Sequence, residues 1–189
     1  MDGLLDDRQG AMLLKLARKT LEQKMMNGTV SLTPDEPALS VKAATFVTLK
    51  IAGKLRGCIG NLEPVGALWE GIRDNAINAA FHDPRFSPLT SKELPDVEID
   101  ISILSPPKPL QYENTEDLPA KLRPGIDGVI LRDGPRTATF LPQVWQQLPS
   151  PEQFLGHLCL KAGLAQKTWR QRRLEIHTYQ VQCFEEEKR

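Results

Sequence analysis

The chain has 189 residues, of which 40% are hydrophobic and 25% are charged, so its length suits one domain or two small lobes around a shared core. Its 24 basic side chains balance its 24 acidic ones, which excludes a strongly basic nucleic-acid clamp and an acidic disordered tail. No apolar run approaches the roughly 18 residues of a membrane span, and the first positions are acidic where a secretory signal would be basic. We therefore expect a cytoplasmic protein.

The first half of the chain predicts a helix, a strand hairpin, a second helix and a separate strand. Apolar residues spaced three and four apart indicate the first helix, and β-branched and aromatic residues around Ala52 and Gly53 indicate the hairpin. Thr90 and Glu93 form the pattern of a capping box, which predicts a short helix just before the separate strand. The expected elements are a helix over 9–27, strands over 43–49 and 55–59, a helix opening at Pro64, and a strand over 97–104.

The second half of the chain repeats this order. Its expected elements are strands over 128–132 and 137–141, helices over 142–148 and 151–162, and a last strand that includes residues 177–183. The repetition predicts an internal duplication, with lobes over 30–110 and 111–189 of a single domain spanning 1–189. The competing interpretation is that many α+β chains show the same order by chance.

The cysteines give no sign of a disulfide framework or a metal site. Cys58, Cys159 and Cys183 are odd in number and widely spaced. Metal ligands at the short spacing of structural zinc sites are absent from the sequence, so we predict no metal and no cofactor. Cys159 and Cys183 follow apolar stripes, which predicts core positions, and His157 is expected on a helix surface rather than as a base for Cys58.

The run Lys54–Gly60, KLRGCIG, is the most informative segment. In a strand, Arg56 and Cys58 share one face, and both a nearby cation and the start of the following helix favour a thiolate. Gly57 and Gly60 lack side chains that would block a ligand from the backbone. The run therefore indicates a nucleophilic cysteine or an anion-binding turn. The alternative is that Cys58 packs in the core as a small hydrophobic residue.

Charged residues elsewhere suggest partners for this run. Asp83 and Arg85 lie in a loop bounded by prolines, where they either complete a pocket around the thiol, with Arg85 as an anion clamp, or form a local turn in which Asp83 caps and pairs with Arg85. On the polar face of the separate strand, Glu98 or Asp100 is a possible partner of Arg56, although exposed strand carboxylates are usually only solvated.

The run LRGCIG resembles the signature of the AMMECR-one family, whose bacterial and archaeal members are labelled protein A of the AmmeMemoRadiSam system. The resemblance extends over nearly the whole chain. Matching segments are FVTL at 46–49, NA at 75–76, AAF at 79–81, DPRF at 83–86, LP at 94–95, ILSP at 103–106, LRPG at 122–125, DG at 127–128, FLPQVW at 140–145 and HLCLKAGL at 157–164. Family members usually have threonine after the last signature glycine, where this chain has Asn61.

The resemblance implies an α+β fold of two fused lobes, with hairpin–helix–strand repeats around a mixed, barrel-like β-sheet. It supplies no reaction. Family members occur beside, or fused to, a Memo-type domain that resembles metal-dependent dioxygenases and a radical-SAM enzyme, so the resemblance implies these two proteins as partners.

Two functions from different classes agree with the sequence. The first is a binding and partner module with a pocket for a small anionic ligand at the LRGCIG turn. The expected ligand-binding residues of this module are Gly57, Gly60, Asn61, Asp83 and Arg85. The second function is an enzyme in which Cys58 is the nucleophile and Arg56 stabilises its thiolate. We place the module first because no acid–base pair is evident in the sequence. The zero net charge of the chain disfavours nucleic acid as a ligand of this module.

Overall fold

The structure is a computed structural model that describes residues 5–26, 28 and 34–186. Contacts divide the chain into two compact units, which are unit 1, Met1–Leu104 with Gln182–Arg189, and unit 2, Ser105–Val181. The lobes that the sequence predicts are 30–110 and 111–189. Within the described residues, no helix combines the length and the apolar character that crossing a membrane requires.

Unit 1 combines one sheet with two helices. Its elements are α1 (Asp7–Met25), β1 (Ala44–Ile51), β2 (Lys54–Gly60), α2 (Leu68–Phe81), β3 (Val97–Leu104) and β8 (Val181–Glu185), with short 3-10 helices at Pro37–Ser40 and Leu94–Asp96. The strand order is β2-β1-β3-β8. Both helices pack on one face of this sheet, where Val47, Leu49, Ile99 and Ile101 are fully buried. This apolar burial is the main force that holds unit 1 together.

Local capping explains where α1 begins. The Asp6 carboxylate accepts a hydrogen bond from the Gln9 backbone N–H at 2.7 Å, and the Gln9 side chain accepts one from the Asp6 N–H at 3.0 Å. This capping box starts the helix at Asp7, two residues before the predicted start. The predicted end at residue 27 lies outside the described residues.

Helix α2 begins at Leu68, so the predicted start at Pro64 is wrong. The Ala67 backbone N–H donates to the Glu70 carboxylate at 2.9 Å, which caps the helix at that point. The Leu68 N–H donates to the Val41 carbonyl at 2.8 Å and holds the preceding loop against the segment before β1. Backbone contacts from a distant segment therefore outweigh the preference of Pro64 for a first turn.

Unit 2 has a sheet and helices of its own. Its elements are β4 (Lys108–Pro109), α3 (Asp117–Lys121), β5 (Gly128–Asp133), β6 (Arg136–Phe140), α4 (Pro151–Lys161), α5 (Thr168–Gln171) and β7 (Glu175–Tyr179), with a 3-10 helix at Pro142–Gln146. The strand order is β4-β7-β5-β6. Ser150 caps α4 as predicted, and the fully buried Phe154 stacks on Trp145 at a centroid distance of 3.8 Å.

Both units follow one strand plan. The first strand of each hairpin is central, and the strand that follows the helix pairs with its other edge, giving the orders β2-β1-β3 and β6-β5-β7. The α+β class is confirmed. The expected mixed, barrel-like sheet is only loosely matched. The described ranges contain two open four-stranded sheets, each with two edge strands, and their registered pairs are antiparallel.

The predicted last strand is two strands. Its alternating pattern runs through residues 177–183, but β7 belongs to the sheet of unit 2 and β8 to the sheet of unit 1. The break is at Gln180, whose N–H donates to the Ser105 hydroxyl and whose carbonyl accepts from the Ser105 N–H, both at 2.9 Å. Alternation does not reveal this break because it continues with the same period on both sides.

Candidate functional site

Cys58 lies on β2, the edge strand of the unit 1 sheet, and its free thiol is half-buried. It stands opposite Thr48 in the pairing of β1 with β2. The Thr48 hydroxyl donates a hydrogen bond to the Cys58 sulfur at 3.2 Å. Cys58 is therefore neither sealed in the core nor fully exposed, and its sulfur accepts a hydrogen bond from a neighbouring hydroxyl.

A bulge in β2 creates this pairing. Near the turn, Lys50 pairs with Leu55, and continuing that register would place Gly57 opposite Thr48. The register shifts by one residue between Leu49 and Lys50, so Thr48 meets Cys58 instead. An extra residue in one strand of an antiparallel pair redirects its side chains in this way. Thr48 is not among the predicted site residues, because no local signal in the sequence marks the bulge.

The loop that follows α2 forms hydrogen bonds with the backbone of Cys58 at the open edge of the sheet. The Asp83 carboxylate accepts a hydrogen bond from the Cys58 N–H at 2.8 Å, and Arg85 Nη2 donates to the Cys58 carbonyl at 3.0 Å. Arg85 also donates twice to the Asp83 carboxylate, at 2.9 and 2.7 Å. Asp83 and Arg85 thus form the expected local pair and also lie beside Cys58.

The Asp83–Arg85 pair combines a buried carboxylate with an accessible guanidinium. The Asp83 side chain is 1% exposed, whereas that of Arg85 is 54% exposed. Hydrogen bonds from Arg85, and then from backbone N–H groups, hold the pKa of Asp83 well below its usual range although burial acts in the opposite direction. The pKa of Arg85 is raised chiefly by Asp83, with smaller contributions from Cys58. The pair is therefore fully ionised at neutral pH.

Arg56 makes its hydrogen bonds to a loop. Its Nε and Nη2 donate to the Glu93 carboxylate at 2.8 and 3.2 Å, and its Nη1 donates to the Ser87 carbonyl at 3.0 Å. The possible pairing of Arg56 with Glu98 or Asp100 is not observed, because β1 lies between β2 and β3. Arg56 pairs with Glu93 instead, and Asp100 forms an ion pair with Lys50. All three guanidinium nitrogens of Arg56 are therefore engaged, and Nη2 also donates to the Pro88 carbonyl at 3.4 Å.

Glu93 is the partner that the sequence analysis did not assign to Arg56. It was recognised as part of a capping box, and its carboxylate does accept hydrogen bonds from the Thr90 N–H and hydroxyl, both at 2.8 Å. Arg56 first, and then Thr90, lower the pKa of Glu93 to about 2. The second role of Glu93 left no local signal because Arg56 lies 37 positions earlier.

The two signature glycines serve close packing. A β-carbon at Gly57 would lie 2.1 Å from the carbonyl oxygen of Ala79 in α2, and one at Gly60 would lie 2.2 Å from the Phe46 ring. The space that was expected to admit a ligand to the backbone is therefore occupied by protein atoms. These contacts require glycine at both positions for a steric reason.

Asn61 lines a cavity of about 350 Å³ within unit 1, and Cys58 is not among the residues that line it. Its backbone N–H donates to the Thr45 carbonyl at 2.9 Å, at the beginning of β1. We call this cavity the asparagine hollow, and its polar lining includes Thr45, Asn61, Glu70, Arg73, Asp74, Asn75 and Asn78. Of the five expected ligand-binding residues, only Asn61 is among its lining residues.

The remaining cysteines and histidines have separate environments. Cys159 is fully buried as predicted, but Cys183 is exposed, so its predicted core position is wrong. The His82 ring pairs with the Asn78 side chain at 2.9 Å, and His157 lies on an exposed helix position. Among the residues that the structure describes, no three His, Cys, Asp or Glu side chains come together in a way that could hold a metal ion.

Comparisons with known proteins find similar sequences and a similar fold over nearly the whole chain. The sequence model of the AMMECR1 family matches residues 14–184. A protein of Thermofilum pendens is 39% identical, covering 97% of this chain and 92% of that protein, and one of Methanothermobacter thermautotrophicus is 36% identical, covering 95% of each. The crystal structure of an uncharacterised protein from Pyrococcus horikoshii aligns with a TM-score of 0.87 and 33% identity, over 97% of this chain and 94% of that one.

Proposed function

Since this chain belongs to the AMMECR1 family, we propose that it acts as a binding module that works with Memo-type and radical-SAM proteins. Its ligand is a small anion, held at the edge of β2 by Arg85 beside the Cys58 thiol. The observation that carries this proposal is the state of Arg85, which is fixed by Asp83 and the Cys58 carbonyl while 54% of its side chain stays exposed.

Pre-positioning favours binding at this guanidinium. Arg85 Nε and Nη2 are occupied, whereas Nη1 donates to no described residue, so it can meet an anion without breaking an internal bond. A side chain that is already ordered loses little rotamer entropy when it binds. The adjacent Asp83 offsets part of the positive charge, so the ligand must contact Nη1 directly rather than rely on long-range attraction.

A titration with phosphate and succinate, followed by NMR, tests the anion site. Arg85→Gln should weaken binding about tenfold, because a charge-assisted hydrogen bond is lost. Arg123→Gln is the matched control, since Arg123 is 56% exposed and pairs with Asp127, whose side chain is 2% exposed, but in unit 2. Equal effects of the two variants, or no effect of either, would overturn the proposed anion site.

A second candidate function is an enzyme or covalent carrier with Cys58 as its nucleophile. The Thr48 hydroxyl, which donates to the sulfur at 3.2 Å, favours it because a hydrogen-bond donor stabilises negative charge on sulfur. Under this hypothesis iodoacetamide at neutral pH modifies half-buried Cys58 faster than exposed Cys183, and Thr48→Val slows the reaction. Faster modification of Cys183 would contradict it.

The partner proposal needs purified proteins. Sedimentation of this chain with a purified Memo-type protein, and separately with a purified radical-SAM protein, measures whether a complex forms. Cys58→Ser should keep partner binding if the chain is a module, because serine retains the size and the backbone contacts of the cysteine. Absence of a complex with both proteins would contradict the partnership, while loss of binding on Cys58→Ser would favour the role of the thiol.

A further inference from the structure

The asparagine hollow is a second site in unit 1 with a different chemistry from the edge at Cys58. It is formed by the beginning of β1, the loop after β2 and the first turns of α2, and its volume is about 350 Å³. Cavities of a few hundred cubic ångströms are the usual size of small-molecule sites. Its lining is rich in side-chain amides and carboxylates.

Asn75 presents an unused acceptor to this hollow. The residue is only 4% exposed, and its Nδ2 donates to the Thr45 carbonyl at 3.1 Å and to the Thr45 hydroxyl at 3.0 Å. A carbonyl can only accept, so the orientation of the amide is settled and Oδ1 is the remaining polar atom. Oδ1 accepts no hydrogen bond from any described residue, although Asn75 lines the hollow. Oδ1 is not one of the fully buried atoms left without a partner, so it is open to a donor that enters the hollow.

Carboxylates near Asn75 add further hydrogen-bond acceptors to the hollow. Glu70 uses one carboxylate oxygen, Oε2, to cap α2 through the Ala67 N–H, which leaves Oε1 for another donor. Asp74 pairs with Arg73 at 2.7 Å, and the Arg73 guanidinium lies 5.3 Å from the centre of the Trp69 ring. The lining thus holds two carboxylates, Glu70 and Asp74, against one cation, Arg73, which also interacts electrostatically with Glu70. The hollow has free acceptors and a net negative character, which is unsuited to an anion.

From these contacts we infer that the asparagine hollow binds an alkylguanidinium group. A guanidinium offers several N–H donors in a plane and a positive charge, which complement the Glu70 carboxylate and the Asn75 Oδ1 acceptor together. The group comes either from a free small molecule or from an arginine side chain of a protein. The inference is independent of the anion site at Arg85.

Methylguanidinium is the direct probe of this inference. Two-dimensional NMR of the side-chain amides of Asn61, Asn75 and Asn78 should show saturable shifts as methylguanidinium is added. Methylurea, which is similar in shape but neutral, should not saturate these signals. An N-acetyl-arginine-amide arm identifies the source. Tighter binding of that compound indicates a protein side chain, whereas binding of methylguanidinium alone indicates a free small molecule.

Charge variants complete the test. Glu70→Gln removes the charge but keeps an oxygen that can cap the Ala67 N–H, so the fold is retained while binding weakens about tenfold or more. Glu116→Gln, at an exposed position in unit 2, is the matched control and should leave binding unchanged. Saturation by methylurea, equal effects of the two variants, or shifts that never saturate would each overturn the inference, and phosphate binding at Arg85 is scored separately.

Discussion

Around Cys58, the charged side chains of Asp83 and Arg85 bind the backbone, whereas the sulfur accepts a hydrogen bond from the Thr48 hydroxyl. Asp83 accepts from the Cys58 N–H and Arg85 donates to its carbonyl, so the two side chains occupy the position that a neighbouring strand would take. Exposed strand edges are prone to unwanted pairing, and covering them with charged side chains prevents it. Asp83 and Arg85 are therefore positioning residues for Cys58 as well as candidates for ligand contact.

The charge on Asp83 should matter for stability. We expect Asp83→Asn to lower the free energy of unfolding by about 2 kcal/mol near neutral pH, because Arg85 loses its buried anionic partner. The pKa of Asp83 is depressed in the fold, so its contribution is complete above the ordinary value of 3.8 and is lost as the pH falls below it. Urea unfolding near pH 7 and near pH 3 measures both free energies, and the gap between wild type and variant should narrow in acid.

The control for this prediction is Asp74→Asn. Asp74 is also paired with an arginine, but its side chain is 55% exposed, so its replacement should change stability little. A gap between wild type and Asp83→Asn that stays constant from neutral pH to acid would contradict the ionic role of Asp83.

At the scale of elements, strand β2 is held in place by its packing on α2 and by hydrogen bonds to the loop that follows α2. Gly57 brings β2 into contact with the backbone of α2 at Ala79, and Arg56 holds the loop around Ser87 through Glu93 and carbonyl groups. Both contacts come from the signature run. Its glycine and its arginine therefore explain, through packing, why the Cys58 backbone lies where the following loop can reach it.

Gly57→Ala tests the packing of β2 on α2. Its new β-carbon would lie 2.1 Å from a backbone oxygen that cannot move alone, so we expect a loss of about 2–4 kcal/mol in the free energy of unfolding. Gly156→Ala is the control, because its nearest neighbour is the flexible Gln166 side chain at 3.0 Å. Thermal and urea unfolding compare the two variants, and similar stability would refute the steric explanation.

The ion pair between Arg56 and Glu93 should stabilise the fold less as the pH becomes acidic. The pKa of Glu93 is lowered to about 2 from a usual 4.5, so its stabilising effect is present above pH 4.5 and disappears as the pH falls towards 2. Glu93→Gln should cost about 1 kcal/mol at neutral pH and should flatten the acid decline of stability. Urea unfolding midpoints of wild type and Glu93→Gln, measured between pH 7 and pH 2, test this prediction. If the midpoint falls equally steeply with pH in both proteins, the ion pair does not contribute as expected.

At the scale of the whole molecule, the first helix and the end of the chain are joined within unit 1. Arg18 of α1 is 6% exposed and contacts the Glu186 carboxylate, 168 positions later, as well as the carbonyls of Leu94 and Val97. Glu186 also pairs through its backbone with Ile99 of β3. Closing so long a loop requires that both ends contribute strongly, and a buried ion pair with backbone contacts does so.

A double-mutant cycle tests this connection. We expect Arg18→Met and Glu186→Leu each to lower the free energy of unfolding by about 3 kcal/mol, because each leaves one buried charge without its partner. The double variant should lose less than the sum of the two, since neither charge then remains. Urea unfolding of the four proteins gives the coupling energy, and strictly additive losses would show that the two charges act separately.

Elements and class were predictable because their signals are local. Alternation identified β3, a serine followed by a proline identified the start of α4, and a capping box identified the Thr90–Glu93 contact. Each of these depends on residues within a few positions of one another. The start of α2 was misplaced because a distant backbone group, the Val41 carbonyl, decides where that helix begins.

The order of residues by itself determined the α+β class, the hairpin-and-helix repeat and the segment in which Cys58 and Arg56 lie. Only the tertiary structure decided that Arg56 meets Glu93, that Thr48 meets Cys58, and that Asn61 lies on a separate hollow. Hydrophobic periods and caps act over one or two turns, whereas the partner of a charged or polar side chain is chosen by a bulge or a loop that brings distant positions together.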